Sequence, residues 1–169
     1  MIPLLGIAAQ SGTGKTTLLK RLIPLLRQHG IRVGIIKHTH HDMDVDKPGK
    51  DSYELRHAGA EQTLVASQKR WALMTETPQQ TEPDLHYLAS RMDATKLDLI
   101  LVEGFKQEAI PKIILYRQAA GHVLNDLYLD AFTLAVATDV SIETEVMQLD
   151  INNVEQIEEF IRTWLEKAI

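Results

Sequence analysis

A glycine-rich segment between an apolar run and an amphipathic run constrains the fold most strongly. Residues 9–17 read Ala-Gln-Ser-Gly-Thr-Gly-Lys-Thr-Thr, which nearly matches the phosphate-loop pattern G-x-x-x-x-G-K-[ST], with alanine in place of the first glycine. In this pattern the backbone amides curl around phosphate oxygens, the lysine reaches the β- and γ-phosphates, and the next hydroxyl binds Mg²⁺. The sequence therefore predicts that a nucleotide is held by Gly12, Thr13, Gly14, Lys15, Thr16 and Thr17. Lys15 is also predicted to act in catalysis, and Thr16 to bind the metal.

Apolar and amphipathic segments alternate along the whole chain. Short apolar runs predict strands at residues 2–8, 31–37, 63–66, 71–75, 97–102, 112–116, 133–137 and 146–149. Apolar residues at helical spacing predict helices at residues 16–28, 51–58, 82–92 and 153–167. Such alternation is typical of folds in which helices connect parallel strands. We therefore expect a P-loop NTPase-like three-layer α/β domain with a largely parallel sheet, spanning residues 1–169 as a single domain.

Composition narrows the classes of function. The 169 residues include no cysteine, which excludes a disulfide framework and a thiolate metal site and fits a reducing compartment. The apolar start of the chain reads as a buried strand and not as a signal peptide, so we expect a cytoplasmic location. The net charge of −5 argues against a nucleic-acid partner. No apolar run approaches the roughly 18 residues that span a bilayer, so no membrane partner is expected. The first 41 residues nevertheless carry six basic and no acidic side chains, which favours an anionic ligand there.

Two acidic residues follow apolar strands at the sheet edge where open α/β folds bind ligands. Glu103 follows residues 97–102, and Asp139 comes shortly after residues 133–137. We predict that Glu103 binds the water shell of Mg²⁺ or orients an attacking water, which gives it a metal-linked and catalytic role. The guanine motif N-K-x-D is absent, and Asp139 is the candidate that would accept the N1–H and 2-amino groups of guanine. A capping role in the loop is the alternative for Asp139.

A long polar segment follows the second predicted strand. Residues 38–51 read His-Thr-His-His-Asp-Met-Asp-Val-Asp-Lys-Pro-Gly-Lys-Asp. Because they leave the carboxyl end of a strand, we expect them above the phosphates, where Asp44 or Asp46 would sense Mg²⁺ as a switch segment does. The alternatives are a solvated loop and a transition-metal site. For the metal site, two imidazoles on one side of an extended chain supply too few ligands alone.

Four segments resemble a known protein family. They read S-G-T-G-K-T-T (11–17), K-H-T-H-H-D-M-D-V-D-K-P-G-K-D-S-Y-E-L-R-H-A-G-A (37–60), L-I-L-V-E-G-F-K (99–106) and A-T-D-V (137–140). These segments are similar to the molybdopterin-guanine dinucleotide biosynthesis protein B family (MobB), and the resemblance extends over nearly the whole chain. It implies a homodimeric accessory protein of molybdenum cofactor biosynthesis that binds GTP with Mg²⁺ and has weak intrinsic GTPase activity.

The resemblance also implies partners and site residues. The partner is the molybdopterin guanylyltransferase, protein A of the pathway, which attaches GMP to molybdopterin, and molybdopterin itself is a further candidate ligand. By this resemblance the loop at residues 12–17 holds the nucleotide. Asp46 and Glu103 are expected to bind Mg²⁺ or to position the attacking water.

Two other classes of P-loop protein fit the same residues. A nickel-insertion GTPase would use His38, His40 and His41 as ligands and would take up Ni²⁺ or Zn²⁺ stoichiometrically. A small-molecule kinase would bind ATP in the phosphate loop and a metabolite beside the histidine-rich segment. Metal titration and the preference between GTP and ATP distinguish these classes from the first.

Overall fold

The structure, a computed structural model, describes residues 1–39 and 43–168. Within them the strands are Leu4–Ala9 (β1), Val33–Lys37 (β2), Gln62–Ala66 (β3), Trp71–Thr75 (β4), Leu99–Glu103 (β5), Lys112–Tyr116 (β6), Thr133–Thr138 (β7) and Met147–Asp150 (β8). The α-helices are Lys15–Gln28 (α1), Asp51–His57 (α2), Leu85–Ser90 (α3) and Val154–Ala168 (α4). Two 3₁₀ turns cover Gln118–Ala120 and Leu124–Asp126.

The chain divides into two compact units. The first comprises Met1–His38 and Asp84–Ile169, and the second comprises Thr39–Pro83. The first unit contains a parallel six-stranded sheet in the order β2-β5-β1-β6-β7-β8, and the second contains α2 and the antiparallel hairpin β3–β4. The α/β class with a largely parallel sheet is confirmed, while the expectation of a single domain stays a prediction.

Helices α1 and α4 cover one face of the parallel sheet because each carries an apolar stripe at helical spacing. Their buried apolar side chains are Leu18, Leu19, Leu22, Leu26, Val154, Ile157, Ile161 and Leu165. These pack in one core with the inward residues of β1, β5, β6 and β7, and burial of each large side chain is worth about 2 kcal/mol. In the described part of the chain, no helix combines the length and apolarity that crossing a membrane requires.

Helix α3 lies against the opposite face of the sheet, where Leu85 packs with Ile36, Ile100 and Val102. The sequence predicts this helix from residue 82, but it begins at Leu85. The residue before a proline is disfavoured in helical conformation, and Pro83 therefore keeps Glu82 out of the helix. Asp84 then caps the helix, since its carboxylate accepts a hydrogen bond from the Tyr87 N–H at 2.9 Å.

An ion pair joins the residues that precede β2 and β5. The Arg32 side chain donates to both carboxylate oxygens of Asp98, at 2.9 Å from Nε and 2.7 Å from Nη2. The Arg32 backbone N–H also donates to Asp98. These hydrogen bonds lower the pKa of Asp98 from 3.8 to about 2. The pair holds together the amino-terminal ends of two strands whose carboxyl ends carry the candidate site.

Candidate functional site

The segment between β1 and α1 encloses a cavity of about 350 Å³, lined by residues 10–17 and Glu103. Gly12 and Gly14 adopt φ values of 80° and 95°, a left-handed conformation that glycine reaches without the steric cost of a Cβ. The loop follows the central strand of the parallel sheet and leads directly into a 14-residue helix. This strand–loop–helix arrangement is the context that a phosphate loop requires.

The amino terminus of α1 contributes to the same cavity. Lys15, Thr16 and Thr17 form its first turn and line the cavity. The first N–H groups of a helix have no acceptor within the helix. Among the described residues, no side chain caps this end, and the first turn contains no acidic residue. These amides and the positive end of the helix dipole therefore favour an anion.

Lys15 and Glu103 form an ion pair in this cavity, with 3.1 Å between Nζ and Oε1. Glu103 is the last residue of β5 and aligns with Ile7 of β1 and Lys37 of β2. Lys37 Nζ approaches the same carboxylate oxygen at 3.6 Å. The side chain of Glu103 is 14% exposed, whereas that of Lys37 is 60% exposed. The parallel register thus places the predicted acid beside the predicted phosphate-binding lysine.

The oxygen atoms of this cavity suit Mg²⁺. Thr16 and Glu103 both line it, and Mg²⁺ prefers hydroxyl, carboxylate, phosphate and water oxygens, commonly taking only one or two protein ligands. Among the described residues, no three or more His, Asp or Glu side chains are grouped so as to hold a metal alone. The donors present therefore fit an ion held jointly by the protein, phosphate oxygens and water.

Asp46 belongs to the second unit, where Arg56 holds it. Arg56 Nη2 donates to Asp46 Oδ1 at 2.8 Å and to Asp44 Oδ1 at 2.6 Å, and its Nη1 donates to Glu76 at 3.3 Å. The hydrogen bond from Arg56 lowers the pKa of Asp46, and these contacts raise the pKa of Arg56. Asp46 is thus held by the guanidinium group of Arg56 and also by a hydrogen bond from Ser52. Its role at a metal stays a prediction.

Asp139 shapes the loop after β6. Its two carboxylate oxygens accept the backbone N–H groups of Gln118 and Ala119 at 2.7 and 2.9 Å. Burial raises the pKa of Asp139, but the backbone hydrogen bonds and the nearby charge of Arg117 together outweigh it, so the pKa lies below its ordinary value. This geometry favours the capping alternative considered for Asp139. Base recognition by this residue stays a prediction.

Two residues that the sequence motifs do not indicate support the phosphate loop. Arg117 Nε donates to the Thr13 backbone carbonyl at 3.1 Å, and its Nη1 donates to Asn152 Oδ1 at 3.0 Å. The buried Thr13 hydroxyl donates to the Gln10 carbonyl at 2.8 Å, and it lies 3.1 Å from His122 Nε2. Thr13 therefore stabilises the loop through its backbone carbonyl and its buried hydroxyl group. Arg117 directly follows β6, and this position at the ligand-binding end of the sheet is the one sequence signal for it.

Of the three histidines in the polar segment, the structure describes only His38. Its backbone N–H donates to the Glu103 carbonyl at 2.8 Å, and its ring lies 5.1 Å from that of Phe105. His40 and His41 lie outside the described residues. The proposed nickel site therefore stays untested by the geometry.

A parallel sheet with helices on both faces and a phosphate loop after its central strand defines a P-loop α/β protein. The family model for MobB, molybdopterin guanine dinucleotide synthesis protein B, matches residues 4–139. The chain belongs to this family. A molybdopterin-guanine dinucleotide biosynthesis adapter protein of Escherichia coli K12 is 66% identical over 167 residues, covering 99% of this chain and 95% of that protein. The Haemophilus influenzae protein of the same name is 53% identical, covering 97% of this chain and 90% of that protein.

Solved structures agree with the family assignment. A crystal structure of molybdopterin-guanine biosynthesis protein B superimposes with a TM-score of 0.73 at 26% identity, covering 95% of this chain and 99% of that one. Bacillus subtilis MobB superimposes with a TM-score of 0.72 at 19% identity, covering 95% of this chain and 97% of that one. The second comparison supports the fold alone.

Proposed function

We propose that this chain is a GTP- and Mg²⁺-binding adapter that assists the guanylyltransferase forming molybdopterin guanine dinucleotide. The observation that carries the proposal is the cavity formed by the phosphate loop and Glu103 in a chain of the MobB family. The relatives at 66% and 53% identity are named as adapter proteins of this biosynthesis. We also propose that the chain acts in the cytoplasm. Disulfide bonds rarely form in that reducing compartment, and this sequence has no cysteine with which to form one.

The Lys15–Glu103 ion pair supports a nucleotide-dependent switch. A β- or γ-phosphate that enters the loop competes with the Glu103 carboxylate for the Lys15 ammonium group. Glu103 then loses one of its two lysine partners and can turn to the water shell of Mg²⁺. The Glu103 carbonyl also accepts the His38 N–H, so this residue lies directly beside the start of the polar segment after β2.

We expect turnover of GTP to be weak. Mg²⁺, when bound, would neutralise charge on the phosphate oxygens. Lys15 would donate to the oxygens that gain charge, and Glu103 would accept a hydrogen bond from the attacking water. Among the described residues that line the cavity, Glu103 is the only carboxylate and no arginine is present. Arginines in this position accelerate GTP hydrolysis strongly in other P-loop proteins, so their absence from this lining favours slow hydrolysis.

The hairpin of the second unit supports a homodimer or a docking role. Leu64 and Leu73 pair across the strands, and Trp71 lies on the same face two residues along β4. Their exposed fractions are 59%, 40% and 64%. A two-stranded sheet is barely stable alone, and an apolar face of this kind marks an interaction surface. We propose that a second copy of the chain covers this face and that the guanylyltransferase binds the resulting dimer.

Calorimetry of the purified chain with GTP and with ATP tests the proposal. We expect tight GTP binding that depends on Mg²⁺, weak ATP binding, and slow hydrolysis whose rate changes when the guanylyltransferase is added. Tighter binding of ATP with rapid phosphoryl transfer to a metabolite would favour the kinase alternative. Stoichiometric Ni²⁺ uptake would favour the nickel-insertion alternative. Absence of GTP binding would refute the proposed function.

A further inference from the structure

A second and larger cavity, of about 520 Å³, lies within the first unit beside the phosphate loop. Ala8 of β1, Ile114 of β6 and Leu127 contribute apolar lining. Ile113 and Leu115 alternate with Ile114 and belong to the core beneath α1 and α4. Ile114 therefore faces the opposite side of the sheet. Pockets for small organic molecules commonly measure about 300–1,000 Å³, and this cavity has that size.

This cavity shares part of its wall with the phosphate site. Gln10 and Thr13 line both cavities. Thr13 is linked to His122, which also lines the larger cavity, through the 3.1 Å contact between Oγ1 and Nε2. A ligand in the larger cavity would therefore contact the phosphate loop from the side of the sheet opposite α1.

The buried charge in this cavity already has its partners. Lys112 Nζ donates to the carbonyls of Lys106 and Glu108 at 3.1 and 2.9 Å and to Asp130 Oδ2 at 2.7 Å. An ammonium group has three hydrogens, so these three acceptors satisfy it. The cavity therefore does not require an anionic ligand to neutralise Lys112.

Other polar side chains in the lining are available to a ligand. Within the described residues, the side chains of Gln10, Lys106, Gln107 and Asp126 make no hydrogen bond or ion pair with protein. They comprise one carboxylate, one ammonium and two amides beside an apolar floor. Such a set recognises an uncharged heterocycle that has donors and acceptors on its edge and a flat apolar face.

We propose that this cavity binds a fused 2-amino-4-oxopyrimidine ring, the group that pterins and guanine share. The ring N–H and the adjacent amino group would donate to the two oxygens of Asp126, and the 4-oxo group would accept from Gln107 or Lys106. The ring face would pack on Ala8 and Ile114. The inference rests on the proposed function, whose chemistry joins a pterin to a guanine nucleotide, and it locates where one of those rings binds.

Fluorescence titration of the full-length chain with unsubstituted pterin, with and without saturating GTP and Mg²⁺, tests this inference. We expect saturable binding of one pterin per chain. Asp126→Asn should weaken it at least tenfold, because an amide offers one acceptor oxygen where the carboxylate offers two. Gln107→Ala provides a second cavity variant, and Glu143→Gln, an exposed acid outside the cavity lining, is the matched control. Thermal melting establishes that each variant is folded.

The titrations made with GTP and Mg²⁺ distinguish whether the bound ring belongs to a pterin or to the guanine of the nucleotide. Pterin binding that persists with GTP bound identifies the pterin as a second ligand. Competition between pterin and GTP, with Asp126→Asn weakening GTP to the same extent, identifies the ring as the guanine of the nucleotide. The inference is overturned if pterin does not bind and Asp126→Asn leaves GTP affinity unchanged, or if pterin binds equally to Asp126→Asn.

The same samples separate this inference from the proposed function. A chain that binds GTP with no effect of the cavity variants and no pterin binding refutes the inference and leaves the proposed function intact. A chain that binds pterin in an Asp126-dependent manner and binds no GTP supports the inference and contradicts the proposed function.

Discussion

Lys15 occupies a position where two anions compete for one ammonium group. Its Nζ lies 3.1 Å from Glu103 and belongs to the loop that is shaped for phosphate. The ion pair with Glu103 is partly exposed to solvent and therefore contributes little to stability. We expect Lys15 to contribute more to nucleotide binding than to stability, because a triphosphate carries more negative charge than the Glu103 carboxylate.

Lys15→Ala should weaken GTP binding by about 100-fold, because it removes charge-assisted hydrogen bonds to the phosphates. The free energy of unfolding should change by less than about 1 kcal/mol, since Lys37 still approaches Glu103. Calorimetry and urea denaturation measure the two quantities. Lys20→Ala, an exposed lysine on the same helix, is the control and should bind GTP normally. Unchanged affinity in Lys15→Ala would contradict the phosphate-site assignment.

Asp139→Asn separates the two roles considered for this residue. Its carboxylate accepts two backbone N–H groups, and an amide can satisfy both less well, so stability should fall by about 1 kcal/mol. If Asp139 also reads the base, the ratio of GTP to ATP affinity should fall about tenfold or more. Competition binding with both nucleotides measures that ratio. A lower melting temperature with an unaltered ratio would support the loop-capping role and contradict base recognition by Asp139.

At the scale of elements, the paired strands β2 and β5 are tied at both ends. Arg32 and Asp98 pair where the strands begin, and Lys37 and Glu103 lie together where they end. The first pair fixes the entry of both strands, and the second lies at the candidate site. Loss of the first pair should therefore affect stability without altering the chemistry of the phosphate loop.

Asp98→Asn should make the chain less stable by about 1 kcal/mol near neutral pH, a value limited by the solvent exposure of the pair. The folded-state pKa of Asp98, about 2, lies below the unfolded value of 3.8. The contribution of the carboxylate is therefore fully present above the unfolded value and is lost as pH falls through the folded value. Urea denaturation from pH 6 to pH 2 should show the difference from the parent chain shrinking below about pH 4. A constant difference over this range would contradict the ion-pair explanation.

At the scale of the whole molecule, the hairpin of the second unit is the surface expected to join two copies. The parent chain should behave in light scattering as a particle of twice its 19.1 kDa mass. Leu73→Glu places a charge on the exposed apolar face and should shift the chain to monomers, with GTP binding retained. Val123→Glu, at an exposed apolar residue of the first unit, should leave the dimer intact. A monomeric parent chain would refute the dimer.

The sequence predicts the first unit well because its signals are local. The phosphate loop occupies nine consecutive residues, and the apolar run before Glu103 marks a buried strand by itself. The division into two units depends on contacts between distant segments. The sequence of the hairpin strands predicts the strands themselves but does not indicate that they belong to a separate unit. Likewise, Arg117 and His122 reach Thr13 across more than 100 residues. Only the folded chain shows those contacts, because no periodicity or motif encodes them.

The pairing of Lys15, Lys37 and Glu103 also has a consequence for the kinetics of nucleotide capture. The three side chains together carry a formal charge of +1 in place of the +2 that the two lysines would present alone. Long-range attraction of an incoming triphosphate is correspondingly reduced, and the association rate constant should depend only weakly on ionic strength. Glu103→Gln restores the unpaired charge and should make association both faster at low salt and more sensitive to added salt. Stopped-flow measurements with a fluorescent GTP analogue, made over a range of KCl concentrations, would compare the two slopes.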